Sequence, residues 1–505
     1  MKKFACFLLG LWTLVFACGW VQGADWPCWR GANRDGISRD TGLMRSWPEQ
    51  GPPLIWKNSK VGQTANGMAV LGNRVYTIGS KGGAECVFCI DNETGKTVWA
   101  RPIGKGHARS YYPMVRSTPT VYKNKIYVLS TSGSLVCMDS GSGATYWFRT
   151  MASMGGVMPP GGYAESPYVD GKWVIVCPGG PGCTMVAMDR HWGPNMPLVW
   201  VSKAGMGAGY SSIIKASFGR EHQYVNFTGD GLVGAKVRGG DVRWRYEAPA
   251  HESGLSAVPP IWFAQTVLAA GANGTGVVWL QKEGQAYKAT EVWFNEELKI
   301  PTGDILKIND YVFGVVDGMG LVCFQYKTGK VVWSDASLFP TEEDSEAAPG
   351  KKSSKKKKST KVSSVTTDRP DYLAQKTSPV QTRKLKKRPK PPVVPQMMAS
   401  MSYAEGMLYI RTSAGELALV DASPKGFHLR GKIALPQMKK GLGVTPVVAN
   451  GFLYLREGDT IFCFDIRSGA GSDPAAKEAP SGPRKPLPGM PANPEVKPRG
   501  VPKMG

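Results

Sequence analysis

The sequence predicts an all-β protein: an eight-bladed β-propeller of four-stranded antiparallel blades, closed by an N-terminal strand. Three observations support this fold class, namely a recurring strand pattern, Gly turns between its strands, and one strand that precedes the first copy. Gly and Pro contribute 62 and 38 of the 505 residues, which is typical of a chain with many turns. The chain also has 16 Trp and 18 Tyr residues, whereas chains that stay unfolded are poor in aromatic residues.

The recurring pattern consists of short apolar strands. In the first copy, the apolar run 74–78 precedes a strand that ends at Asp91, and a Gly turn then leads to a strand that contains Trp99. The corresponding residues Asp91, Asp139 and Asp189 are 48 and 50 residues apart. Short alternating strands between Gly turns favour antiparallel meanders. A period of about 40–50 residues with four strands per unit is typical of a β-propeller, and eight copies can be traced.

The ends of the repeat region predict how the ring closes. The eighth copy stops at residues 468–469 and has no Trp-containing strand after it, whereas residues 54–57, ahead of the first copy, have the character of that missing strand. We therefore expect the N-terminal strand to complete the last blade. This closure would remove an open sheet edge, which otherwise invites aggregation.

The pattern Tyr-Val, Gly, Leu-x-x-x-Asp, Thr-Gly, Trp resembles the repeat of the pyrroloquinoline-quinone-type (PQQ-like) propeller family. The resemblance covers about residues 54–468 apart from an insert, and that family includes quinoprotein dehydrogenases and the outer-membrane-assembly lipoprotein propeller. A second stretch is similar to the N-terminal segment of a secreted bacterial branch of such proteins: Asp25-Trp26-Pro27-Cys28-Trp29-Arg30-Gly31 followed by Asn33-Arg34-Asp35-Gly36. The resemblance implies fold and export rather than one activity.

The prediction divides the chain into six segments. They are an export signal (1–23), an N-terminal segment with the ring-closing strand (24–57), blades 1–6 (58–340), a basic low-complexity insert (341–395), blades 7 and 8 (396–468) and a Pro-rich disordered tail (469–505). Lys2 and Lys3, followed by an uncharged apolar run, are typical of a secretory signal. We therefore expect a periplasmic or secreted protein with no transmembrane segment after cleavage, or a membrane-anchored one if the signal is not cleaved.

The insert contributes +9 of the formal net charge of +23, because residues 341–395 contain 15 basic and 6 acidic residues. One interpretation is a tether for an anionic polymer, bound through the release of counterions. The other is a solvated spacer without a fixed partner. No aromatic RNA-binding signature accompanies the lysines, so sequence-specific recognition of nucleic acid is not expected.

The cysteines separate into two groups. Four of the ten occupy one position of the repeat, which favours small buried residues over a redox or metal set: Cys89, Cys137, Cys323 and Cys463. Cys177 and Cys183 instead flank a Gly/Pro turn, which in an exported chain favours a disulfide; two free thiols are the alternative. No Cys-x-x-Cys-His motif and no calcium loop is found in the sequence, so we predict no metal site.

A binding site, if there is one, is expected on the loops that lead from each Trp-containing strand to the next blade, since these loops share one face around the central channel. The longest lie at 107–112 and 154–163. Corresponding positions place Arg116, Glu165, Tyr210 and Asp304 at the channel mouth, where they could bind a polar ligand or a peptide segment. The alternative is that these residues only solvate and brace the channel.

The sequence thus predicts an exported, non-enzymatic protein-binding or scaffold module of the bacterial cell envelope, with a protein or envelope partner on the loop face. This prediction includes no catalytic residue and no cofactor. The alternative is a PQQ-dependent alcohol or sugar dehydrogenase with PQQ and calcium in the channel. The family resemblance implies two adjacent cysteines for such an enzyme, and this sequence has no adjacent cysteine pair.

Overall fold

The computed structural model describes residues 23–65, 67–106, 115–191, 197–339, 396–436, 438, 441 and 443–470. Several predicted features lie outside the described residues and stay predictions: the signal up to residue 22, the 107–112 loop, the insert 341–395 and the tail beyond residue 470. Within the described part of the chain, no helix is long and apolar enough to cross a membrane.

Eight antiparallel four-stranded sheets confirm the predicted blades. Blades 1 to 4 consist of β3 (Ala69–Leu71), β4 (Arg74–Lys81), β5 (Ala84–Asp91) and β6 (Thr97–Lys105); β7 (Thr120–Tyr122), β8 (Lys125–Leu129), β9 (Ser134–Asp139) and β10 (Thr145–Thr150); β11 (Tyr168–Asp170), β12 (Trp173–Val176), β13 (Met185–Asp189) and β14 (Trp200–Ser202); and β15 (Ile214–Phe218), β16 (Glu221–Thr228), β17 (Gly231–Lys236) and β18 (Val242–Tyr246).

Blades 5 to 8 complete the set. They consist of β19 (Ile261–Phe263), β20 (Thr266–Ala270), β21 (Thr275–Glu283) and β22 (Ala286–Asn295); β23 (Leu306–Ile308), β24 (Tyr311–Val316), β25 (Gly320–Gln325) and β26 (Val331–Asp335); β27 (Ala399–Ala404), β28 (Met407–Thr412), β29 (Leu417–Asp421) and β30 (Leu429–Ile433); and β31 (Val447–Ala449), β32 (Phe452–Glu457), β33 (Thr460–Asp465) and β2 (Leu54–Asn58). A short strand, β1 (Ile37–Ser38), joins blade 7, and a 3-10 turn spans Ala152–Met154.

Strand β2 closes the ring as predicted. It pairs antiparallel with β33, so that Trp56 lies opposite Cys463 in the last blade. The apolar core shows the same closure, because each of the eight clusters found among the described residues joins two neighbouring blades, and two of them also include residues of the N-terminal segment. The cluster around Val70 and Tyr454 joins blade 8 to blade 1. Successive side chains of a strand point to opposite faces of the sheet, so every blade presents one apolar face to each of its two neighbours.

A tryptophan on the outer strand occupies one position in seven blades; we call these residues the repeat tryptophans. They are Trp99, Trp147, Trp200, Trp244, Trp293, Trp333 and Trp56 for blades 1 to 6 and 8. The four cysteines that share one repeat position each lie directly opposite a repeat tryptophan and are buried free thiols. A small residue here leaves room for the indole ring against the sheet.

Blade 7 has a glycine, Gly431, at the position of the repeat tryptophan. Trp47 from the N-terminal segment lies in the space that this glycine leaves: its Cβ is 2.6 Å from where a Gly431 Cβ would lie. Its ring centroid is 6.1 Å from that of Tyr409, close to the 6.2 Å between Trp56 and Tyr454 in blade 8. The N-terminal segment therefore supplies the aromatic ring that blade 7 lacks.

The closing strand allows a direct test of ring closure. Trp56→Ala removes a buried ring whose Nε1 donates to the backbone oxygen of Asn92 in blade 1 at 2.8 Å. We expect the free energy of unfolding to fall by about 3–5 kcal/mol, as for other buried Trp-to-Ala changes. Ile55→Ala on the same strand is the matched control, because Ile55 is 49% exposed, and should change stability by less than about 0.5 kcal/mol. Equal effects in urea titrations would contradict closure through β2.

Candidate functional site

The central channel is lined by the first strand of each blade, since neighbouring first strands contact one another, as β3 does with β7 and β23 with β27. Residues 23–38 lie within this ring of strands, and we call them the N-terminal plug. Trp26 forms an antiparallel bridge with Val70 of β3, and Pro27 accepts a hydrogen bond from the Val121 backbone at 2.8 Å. At its other end, the plug pairs parallel with β27. The plug therefore crosses from blades 1 and 2 to blade 7.

Arg30 attaches the plug to blade 6. Its side chain is 1% exposed and its Nη1 forms a salt bridge of 2.6 Å with Asp304 Oδ1. Its Nη2 donates to the backbone oxygens of Ile305 at 2.7 Å and Asp35 at 2.9 Å. A buried carboxylate and a buried guanidinium each compensate the other's charge in this arrangement, and removal of one would leave the other unpaired.

Arg34 attaches the plug to blades 3 and 4. Its Nη1 donates to the backbone oxygens of Ser166 at 3.0 Å and Ile213 at 3.1 Å, which precede the first strands of blades 3 and 4. Its Nη2 donates to Pro167, and the guanidinium lies 4.8 Å from the ring centroid of Tyr168. The guanidinium of Arg34 thus binds backbone carbonyls from two blades, because its N–H donors point in fixed directions within one plane.

The backbone of the plug has positive φ angles at both arginines and at Gly36. Arg30 and Arg34 have φ values of 61° and 58°, in the left-handed region that costs a non-glycine residue about 1 kcal/mol. Gly36 has a φ of 79°, and a Cβ there would lie 2.5 Å from Leu306 Cδ2. The hydrogen bonds of the two guanidinium groups offset this local strain.

Two of the four predicted channel-mouth residues contact each other. The Arg116 guanidinium lies 5.5 Å from the centroid of the Tyr210 ring. Both also hold the loop that precedes blade 3: Arg116 donates to the Gly161 backbone oxygen, and the Gly161 backbone donates to Tyr210 Oη at 3.0 Å. Both residues are partly exposed.

The other two candidates have separate partners. Asp304 is bound by Arg30, and its Oδ2 accepts from the Met401 backbone at 3.0 Å and from Thr445 Oγ1 at 2.7 Å. Glu165 is buried, and its Oε1 accepts from the Cys177 backbone at 2.6 Å. Burial raises the pKa of Glu165 to about 8, because the charged form loses its hydration.

Cys177 and Cys183 are free thiols in the structure. Cys177 packs with Ala187 against blade 4, whereas Cys183 packs with Val186 against blade 2. The two side chains therefore lie on opposite faces of blade 3. This placement contradicts the predicted disulfide and corresponds to the alternative of two free thiols.

Sequence reasoning missed Arg30 and Arg34, although both lie in the stretch that carries the resemblance of the N-terminus. A signal was present: two arginines four residues apart, among glycines, outside the propeller repeat. The periodicity could not locate their partners, because Asp304 is 274 residues away in the chain.

Comparison with known proteins identifies the family. A family model described as outer membrane protein assembly factor BamB matches residues 54–166 and, overlapping, 87–335. These two matches cover more than half of the chain. The chain belongs to this PQQ-like propeller family. No curated protein matches it in sequence.

Solved structures resemble this PQQ-like propeller at low sequence identity. BamB from Moraxella catarrhalis is 13% identical, with 82% of this chain and 97% of that chain covered and a TM-score of 0.48. Quinohemoprotein alcohol dehydrogenase from Comamonas testosteroni is 13% identical, with 88% and 81% covered and a TM-score of 0.52. A europium-containing methanol dehydrogenase is 11% identical, with 86% and 89% covered and a TM-score of 0.55. Likeness at this identity shows the fold alone.

The residues in the channel of this PQQ-like propeller do not fit a quinone with a calcium ion. The channel contains two guanidinium groups, those of Arg30 and Arg34, which are cationic hydrogen-bond donors, whereas a calcium ion needs oxygen ligands. Asp304 already accepts hydrogen bonds at both carboxylate oxygens. Within the described residues, no group of three or more His, Cys, Asp or Glu side chains is placed to hold a metal ion.

The salt bridge of the plug can be tested by substitution. Arg30→Met leaves the buried Asp304 carboxylate without its cation, so we expect a loss of about 3–5 kcal/mol in the free energy of unfolding. Arg39→Met is the control, since Arg39 is exposed in the same segment, and it should have little effect. Urea titration measures both. A stability loss shared by the two variants would rule out a special role for the Arg30–Asp304 pair.

Glu165 gives a pH-dependent prediction. Its pKa is raised in the folded protein to about 8, so between pH 4.5 and 8 the unfolded chain is ionised at this residue while the folded protein keeps the proton. Stability should therefore fall as the pH rises through this interval, by about 1.4 kcal/mol per pH unit from this residue. Glu165→Gln should remove that part of the slope, whereas the exposed control Glu93→Gln should keep it. Urea titrations at several pH values compare them; an unchanged slope in Glu165→Gln would contradict the raised pKa.

Proposed function

We propose that the protein is a non-enzymatic, protein-binding or scaffold module of the bacterial cell envelope. The observation that carries this proposal is the N-terminal plug. Arg30 and Arg34 occupy the channel in which a PQQ-dependent dehydrogenase would hold its cofactor, and their hydrogen bonds reach blades 3, 4 and 6. A ring whose channel is filled by its own chain is a rigid body that offers its outer surfaces to partners.

We assign the partner to the loop face. The loop before blade 3 presents Val157 and Met158, which are 58% and 40% exposed, beside the Arg116–Tyr210 pair. Apolar side chains next to arginine and tyrosine are typical of protein–protein contact surfaces. The description of the matching family, an outer membrane protein assembly factor, supports a protein partner.

The same proposal places the protein in the periplasm or outside the cell. The expected export signal at 1–23 supports this location. The basic insert 341–395 would add attraction to an anionic polymer of the envelope, and that attraction should weaken with added salt.

Capture of partners from envelope extracts tests the loop face. Val157→Ser with Met158→Ser should reduce the captured proteins by about tenfold, because central apolar contacts dominate binding energy. Val98→Ser with Val332→Ser is the matched control: these valines are 47% and 40% exposed on outer strands, and capture should persist. Equal capture by both pairs would contradict the assignment to the loop face.

The enzymatic alternative makes the opposite prediction for the purified protein. After incubation with PQQ and calcium, we expect no bound-quinone absorption band and no dye-linked oxidation of alcohols or sugars. A band together with oxidation would overturn the scaffold proposal in favour of a quinone-dependent dehydrogenase.

A further inference from the structure

Blade 5 departs from the repeat at its outer hairpin. Strands β21 and β22 have 9 and 10 residues, whereas the corresponding strands β25 and β26 of blade 6 have 6 and 5 residues. The tip of this hairpin extends into solvent, since a Cβ at Gly284 would have no atom within 4 Å. The Gly turn of blade 5 therefore does not pack against the preceding blade, whereas Gly143, Gly240 and Gly329 lie against Trp99, Trp200 and Trp293.

The contact between blades 4 and 5 differs from other junctions at the repeat tryptophan. At four other junctions, the repeat tryptophan donates its Nε1 hydrogen bond to a backbone oxygen of the next blade: Trp56 to Asn92, Trp147 to Arg190, Trp293 to Tyr326 and Trp333 to Ser423. Trp244 of blade 4 instead donates to Gln223 of its own blade at 2.7 Å. The ring of Tyr287 in blade 5 instead packs against the ring of Phe218 in blade 4, with their centroids 6.0 Å apart.

A groove of about 550 Å³ lies at this junction, lined by residues 218–221, 236, 265, 282 and 287; we call it the blade 4–5 groove. Three cations line it: Arg220 from the turn of blade 4, Lys236 from β17 and Lys282 from the extended hairpin. The single carboxylate in the lining is Glu221, and it is already paired with Arg243 at 3.0 Å. Among the described residues, none of the three cations of the groove has a salt-bridge partner.

We infer that the blade 4–5 groove binds an acidic peptide segment of a partner protein. Carboxylates are the complement of unpaired lysine and arginine groups, and the ring of Tyr287 gives the groove an apolar wall. The groove is open to solvent, which suits an extended segment, whereas small molecules are mostly bound in concave sites that bury them. This inference rests on the proposed protein-binding function and names the chemistry of one of its contacts.

Fluorescence anisotropy of the full chain tests the groove, with a labelled peptide of alternating Glu and Gly as the probe. Lys236→Glu with Lys282→Glu should weaken the affinity by about tenfold or more. The matched control is Lys57→Glu with Lys172→Glu, two exposed lysines outside the groove that give the same change in net charge. If the groove pair unfolds, Lys236→Met with Lys282→Met replaces it. Equal weakening in the groove and control variants would overturn the inference.

Carbodiimide coupling of the same peptide to the wild-type chain locates the contact by mass spectrometry. We expect coupling at Lys236 and Lys282. Coupling confined to lysines of 341–395 would overturn the inference, and displacement of the peptide by an equal concentration of inorganic phosphate would assign the groove to a free oxyanion instead. Failure of the wild-type chain to bind the peptide, with intact capture of envelope proteins through Val157 and Met158, would refute the groove and leave the proposed function standing.

Discussion

Burial of apolar sheet faces between neighbouring blades is the interaction on which the whole structure depends. A blade has two apolar faces, because its strands alternate with period two, and both faces are covered only when a neighbour lies on each side. An open row of blades would leave two faces and one sheet edge exposed. The ring therefore has to close, and the cluster between blade 8 and blade 1, with Trp56 from the N-terminal strand, completes it.

The N-terminal segment adapts this ring in three places. Strand β2 completes blade 8, Trp47 fills the space above Gly431 in blade 7, and the plug crosses the channel. Each contact joins residues hundreds of positions apart, so the segment connects the beginning of the chain to its end. The same segment that stabilises the ring also occupies its centre, which is why the proposed function lies on the outer surfaces rather than in the channel.

Departures from the repeat indicate where function is to be sought. The loop before blade 3 is longer than a connection requires and exposes Val157 and Met158. The Gly turn of the blade 5 hairpin does not pack against blade 4, and a groove lined by three cations lies at this junction. Regular blades, by contrast, are explained by packing alone, including the four cysteines opposite the repeat tryptophans.

The local sequence pattern was enough to predict the all-β class, the eight blades and the closing strand. The alternation of apolar and polar residues, the Gly turns and the repeat period can all be recognised from residues that are close together in the sequence. The candidate site was less accessible to such reasoning. Arg116 and Tyr210 do meet, but Asp304 binds Arg30, Glu165 is a buried acid, and Cys177 and Cys183 face opposite sides of their blade. These outcomes depend on which distant groups a side chain meets once the ring has closed. Sequence alone thus determined the repeat and its closure, whereas the tertiary structure decided the plugged channel, since pairings between remote residues leave no periodic signal.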